Sequence, residues 1–203
     1  RTAAYIIGSM ESTTVANGDG QLIWHLANMR SLAFGTAEAD GEAVVNGKIE
    51  DMLFAGKGAL DAGDCPRAQL EIDKLQQQVV VPLMQSVIQY AIDNENTPAA
   101  STSTSLASGE GFALALIPII STRQVDDSLV IAENMVFQPG QQPVRDGAQT
   151  VTDAVVSVLT NLNLRCGYVG SSSQVEVCRN AGARAQTSTA HDRTWATTAA
   201  AGL

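Results

Sequence analysis

The run Leu75-Gln76-Gln77-Gln78-Val79-Val80-Val81-Pro82-Leu83-Met84-Gln85-Ser86-Val87-Ile88-Gln89-Tyr90-Ala91 decides the fold of this chain. Its apolar residues Leu75, Val79, Val80, Leu83, Met84, Val87, Ile88 and Ala91 recur three and four apart, the rhythm of one helix face. Upstream, Asp64-Cys65-Pro66 supplies a start. Asp64 or Cys65 can cap, and Pro66 suits a first turn, where an amide N–H has no intrahelical partner anyway. The spacing predicts one helix over 64–93. Pro82 removes an N–H in its middle, so the helix is expected to bend there without ending, with Leu75 and Ile88 both reaching the core.

The flanking sequence repeats this pattern. Residues 20–34 read as a helix with Leu22, Ile23, Leu26, Met29 and Ala33 on one face, and with Asp19 a candidate cap. Residues 41–60 read as a second, buried through Val45, Ile49, Met52 and Leu53. Further helices are expected over 110–120, 124–137 and 145–164, and no stretch reads as a strand. The class is all-α: a helical bundle around a long Pro-kinked central helix. Residues 1–180 form a single helical domain, and 181–203 a low-complexity C-terminal tail. Residues 97–108, rich in Ser, Thr, Ala and Pro, read as a surface loop or as the boundary between two packed helical lobes.

Composition narrows the function. The chain has 203 residues, 12 basic and 21 acidic, for a net charge of −9. Such a balance offers no basic stripe to neutralise phosphates and argues against nucleic acid as partner. It fits a solvated surface or a protein that handles cations. A hydrophobic share of 45% suffices for a core, and with only 4% aromatics that core falls to Ala, Val, Leu and Ile. The longest apolar run, 112–120, is too short to span a bilayer and contains Pro118, so no transmembrane segment is expected.

The cysteines are Cys65, Cys166 and Cys178. The last two flank a Gly- and Ser-rich segment, which reads as a disulfide-closed loop made in an oxidising, extracytoplasmic compartment. Cys65 is the odd thiol: buried and free, or a competing disulfide partner.

The common catalytic signatures are absent, among them Gly-x-Ser-x-Gly, the phosphate-binding Gly-rich loop, His-Glu-x-x-His and Cys-x-x-Cys, so the chain does not read as an enzyme. His25 and His191 cannot form a zinc site with the cysteines. Asp126-Asp127 reads as the cap of the helix that follows it. Glu110, between two glycines, reads as a first-turn glutamate or as a metal ligand. Tyr5, Tyr90 and Tyr168 are packed residues or phenolate donors, and phenolate is a hard oxygen suited to ferric iron. Arg30, taken as ending its helix, is a solvated cation or an anion clamp, since a guanidinium grips a planar oxyanion through two N–H groups.

Several segments in order carry a family resemblance: 18–31 around Trp24-His25-Leu26, Gly63-Asp64-Cys65, Val81-Pro82-Leu83-Met84-Gln85, Gln89-Tyr90-Ala91, 109–118 beginning Gly109-Glu110-Gly111-Phe112, and Cys166-Gly167-Tyr168-Val169-Gly170. Together they span about residues 5–178 and resemble the algal low-iron-inducible iron-assimilation proteins, whose diatom members are called phytotransferrins. The resemblance implies a secreted or cell-surface protein for iron uptake that captures ferric iron with carbonate as synergistic anion. It implies Tyr5 and Tyr90 as phenolate ligands. Glu110 and Arg30 can complete such a site as carboxylate ligand and anion holder. Trp24 stands where the family often has tyrosine, so one ligand of that set is missing. The rival expectation is a non-enzymatic structural or accessory subunit that kept the fold and docks on a larger membrane protein complex.

Overall fold

The structure, a computed structural model, describes residues 2–8, 20, 22–98, 103–138 and 140–178. The expected cap Asp19 and the tail 181–203 lie outside the described residues. Those described contain the helices α1 (Thr2–Ile6), α2 (Ile23–Phe34), α3 (Val44–Asp61), α4 (Cys65–Gln78), α5 (Val81–Asn94), α6 (Thr104–Ser121), α7 (Val125–Met135), α8 (Ala148–Val156) and α9 (Cys166–Val169). No strand occurs among them, and an isolated bridge pairs Ala37 with Ala43. The protein is an all-α bundle.

The stretch that decides the fold makes two helices rather than one. α4 ends at Gln78 and α5 begins at Val81, with Val79 and Val80 between them in αR backbone. The reason is Pro82, whose missing N–H and ring both disrupt the bond to the carbonyl four residues back, that of Gln78. Pro82 therefore sits in the first turn of α5, where it is tolerated. The two halves part company: α4 packs along α3, whereas α5 packs on α2, α6, α8 and α9. Leu75 and Ile88 are both buried, as expected.

α5 is the axis of the bundle. Val81, Met84, Val87, Ile88 and Ala91 are fully buried on it. Each of the larger of these side chains contributes about 1.5–3 kcal/mol by leaving water. α6 begins at Thr104, six residues before the expected start, because the Ser103 hydroxyl accepts the Leu106 N–H at 3.1 Å as a cap. α6 packs on α5 and α7 and buries Ala113, Leu116 and Ile120 completely. At 18 residues it is long and apolar enough to cross a bilayer by length and composition. α7 starts at Val125 with Gln124 at its cap position, so Asp126 and Asp127 lie in its first turn rather than capping it. α8 is shorter than expected. It starts after Gly147 (φ 89°) and stops at Val156, followed by a 3-10 turn at Thr160–Leu162. The apolar set that suggested a longer helix, Val151, Ala154, Val155, Val158, Leu159 and Leu162, is buried all the same.

Cys166 and Cys178 form the expected disulfide, with Cα atoms 5.8 Å apart. Cys65 opens α4 as a free, exposed thiol, neither buried nor bridged. Beside the disulfide, Gly170 has φ 89°, and a Cβ there would fall 2.2 Å from the Phe34 carbonyl oxygen. That approach lets the Ser171 N–H donate to the same oxygen at 2.9 Å, tying the end of α2 to the disulfide loop.

Candidate functional site

Pro82, Ser86, Tyr90 and Asn94 are four residues apart and form one ridge of α5. Arg30, half-buried on α2, reaches this ridge. Its guanidinium carbon lies 5.0 Å from the Tyr90 ring centroid, over the ring, a cation–π contact. Its Nε–H donates to the Ser86 hydroxyl at 3.0 Å. Ser86, fully buried, donates in turn to the Pro82 carbonyl at 2.8 Å. Phe112 of α6 stacks on Tyr90, with ring centroids 5.6 Å apart and planes 17° apart. The result is a ladder of Arg30, Tyr90 and Phe112 across α2, α5 and α6.

Gly109 brings α6 this close. A Cβ there would lie 3.0 Å from the Tyr90 Cβ and 3.2 Å from the Asn94 amide nitrogen. That nitrogen donates to the Ser105 carbonyl at 3.3 Å. Two buried oxygens beside it, Asn94 Oδ1 and Ser105 Oγ, have no hydrogen-bond partner among the described residues. Glu110, half-buried, is adjacent to Gly109 in sequence.

Of the residues the sequence singled out, Arg30 and Tyr90 are in contact, and Glu110 follows the glycine that packs on Tyr90. Two of the local readings change. Arg30 lies inside α2, which runs on to Phe34, so it does not end its helix. Glu110 lies mid-way along α6 and is not a first-turn residue. Tyr5, on α1, is 81% exposed, and no described contact joins it to Tyr90. Trp24 is buried in the core, and its carbonyl accepts from Asn46 at 3.1 Å. Tyr168 has its own cation, Lys48, whose nitrogen lies 5.3 Å from the ring centroid.

The oxygens on Tyr90 and on the Asn94–Ser105 contact next to Gly109 are hard: a phenol, an amide carbonyl and a hydroxyl. That chemistry suits Fe³⁺ or another hard cation better than a soft metal. Among the described residues no three of His, Cys, Asp and Glu gather into a metal-holding group. Two carboxylates elsewhere are perturbed. Burial, and then the neighbouring Asp40, Glu50 and Glu38, push Glu42 above the ordinary glutamate range. A hydrogen bond from Asn134, helped by Arg145, holds Asp146 below the usual range.

Sequence reasoning missed Ser86 and Phe112. Ser86 carried a signal, since it is a small hydroxyl residue four from both Pro82 and Tyr90 on a largely apolar face. Phe112 gave none, because its pairing depends on how α6 docks. Compared with known protein families, with curated proteins and with solved structures, the chain matches none.

Proposed function

We propose that this protein captures ferric iron outside the cytoplasm, with carbonate completing the metal's shell, and performs no catalysis. The observation that supports this reading is the contact between Arg30 and Tyr90, a cation suited to an anion beside a phenol suited to Fe³⁺. The unpartnered oxygens of Asn94 and Ser105 add hard donors where α5 meets α6, and Glu110 follows in sequence on α6. The disulfide fits an oxidising compartment. The resemblance to iron-assimilation proteins points the same way. Tyr5 enters through that resemblance alone. The test is titration of the purified chain with chelated ferric iron, with and without bicarbonate, read as the visible tyrosinate-to-iron charge-transfer band. A band that needs bicarbonate supports capture, and its absence under all conditions overturns it.

A second reading has its own support. Leu114 of α6 and Val125 and Leu129 of α7 are large apolar side chains left exposed on two helices that pack together. An accessory subunit that docks on a larger assembly would use such residues. Co-purification of that assembly, lost in a Leu114→Ser/Leu129→Ser variant, would favour it.

A further inference from the structure

Ser86 determines which edge of Arg30 is available. A guanidinium has two edges that can each grip two oxygens: the side edge, which uses Nε–H and one terminal amino group, and the end edge, which uses both terminal amino groups. In this protein Nε–H is spent on Ser86, 3.0 Å away. The Ser86 hydroxyl cannot turn to give that bond up cheaply. Its proton is committed to the Pro82 carbonyl at 2.8 Å, so its lone pairs face Arg30. Ser86 is fully buried and has no solvent to exchange partners with. The Tyr90 ring beneath the guanidinium restrains it from a second direction. Among the described residues neither terminal amino group of Arg30 has a hydrogen-bond or ion-pair partner.

We infer that Ser86 is a positioning residue that locks Arg30 with its end edge open, so that Arg30 takes a planar two-oxygen anion end-on through its two terminal amino groups. The inference rests on the capture reading and deepens it by fixing the anion's approach and its class. A carboxylate or carbonate presents two coplanar oxygens that match this edge. Inorganic phosphate can set two of its oxygens on the same edge, but its remaining oxygens and greater charge then find no donor on Arg30.

The test uses the full chain labelled with ¹⁵N, as wild type, Ser86→Ala and Arg30→Lys. The Arg30 Nε–H resonance is assigned by its loss in Arg30→Lys. In wild type it exchanges slowly with solvent and stays in place when sodium bicarbonate is added, and bicarbonate binds in preference to inorganic phosphate. In Ser86→Ala the resonance broadens into solvent exchange. Bicarbonate affinity falls about tenfold, the scale of one lost hydrogen bond to a charged group, and the preference over phosphate narrows. Circular dichroism equal to wild type shows that the bundle has not unfolded. A fast-exchanging Nε–H in wild type overturns the inference alone, and so does a Ser86→Ala protein that binds bicarbonate as wild type does. A protected Nε–H in a wild type that binds no bicarbonate overturns the end-on anion site and leaves the capture reading to the ferric-iron titration.

Discussion

Arg30 lies over the ring face of Tyr90, on a different helix 60 residues away in sequence, with its guanidinium carbon 5.0 Å from the ring centroid. This contact joins α2 to α5, and the Phe112 stack on Tyr90 joins α5 to α6. Tyr90 is therefore a packing residue before it is a ligand. Replacing it by Phe keeps both ring contacts and should change stability by less than about 1 kcal/mol. Replacing it by Ala removes the platform and should cost about 2–4 kcal/mol. Urea denaturation of the two variants checks this. Equal losses would mean that the hydroxyl, not the ring, holds the helices.

Among the described glycines Gly170 makes the tightest approach. A methyl there meets the Phe34 carbonyl at 2.2 Å and the Thr36 methyl at 2.6 Å, at φ 89°. Gly170→Ala must open the contact between the disulfide loop and the end of α2. It should lower stability by about 2 kcal/mol or more. Gly109→Ala, with contacts of 3.0–3.2 Å and ordinary helical backbone, should cost less. Thermal melts of both variants give the order, and a milder Gly170→Ala would contradict it.

The fold was legible on α3, on α5 and over 148–162, where apolar residues repeat at helical spacing because one face is buried. Val45 and Ile49, then Met84, Val87, Ile88 and Ala91, and then Val151, Val155, Val158 and Leu162 are all in the core. On α2 the repeat misled, since Leu22 and Met29 are exposed while Trp24, Ala27 and Phe34 are buried instead. The repeat did not show where helices stop. Val79 and Val80 keep the rhythm across the break before Pro82, since residues in αR turns hold nearly the same phase as a helix. Likewise Val158 and Leu162 are buried beyond the end of α8. The candidate site was legible only in part. Arg30 and Tyr90 could be picked by chemistry, but their meeting depends on how α2 crosses α5. The α2–α3 buried amides were invisible too: Asn28 Oδ1 accepts from Asn46 at 2.8 Å and from the Ala43 N–H at 2.9 Å.

The Cys166–Cys178 bridge closes a loop with a sequence separation of 12. Replacing both cysteines by serine should destabilise the chain by roughly 3 kcal/mol on the loop-entropy view, seen as a lower urea midpoint. Peptide mapping without reduction should recover the 166–178 pair and leave Cys65 alkylatable. A bridge to Cys65 would refute this pairing.

Glu42 gives a pH dependence of defined sign. Its folded-state pKa is raised, by burial first and then by Asp40, Glu50 and Glu38. The folded state therefore prefers the protonated form. That preference is fully present below the unfolded glutamate value and is lost as pH rises through the folded one. At neutral pH the ionised carboxylate works against the fold. Glu42→Gln should raise the melting temperature at pH 7, and the gain should shrink toward zero as pH falls to the ordinary glutamate range and below. A gain that persists at low pH would assign the effect to packing.

If the protein captures ferric iron, Tyr90 should supply phenolate and Arg30 should hold the anion. A phenol must give up its proton to bind metal, so protons compete with Fe³⁺ and affinity should weaken as pH falls. Tyr90→Phe tests the ligand without disturbing the stack, because the ring stays on Arg30 and Phe112 while the oxygen goes. Its affinity for ferric iron should fall by at least about tenfold, the equivalent of about 1.4 kcal/mol. The charge-transfer band should weaken with it. Tyr5→Phe should lose less, since Tyr5 is 81% exposed on α1 and no described contact joins it to Tyr90. Bicarbonate removal should weaken wild type and leave Arg30→Lys, already impaired, nearly unchanged. Equal affinity of wild type and Tyr90→Phe would remove Tyr90 from the metal's shell. No binding by wild type at any pH, with or without bicarbonate, would leave the exposed Leu114, Val125 and Leu129 as the better guide and favour the accessory-subunit reading.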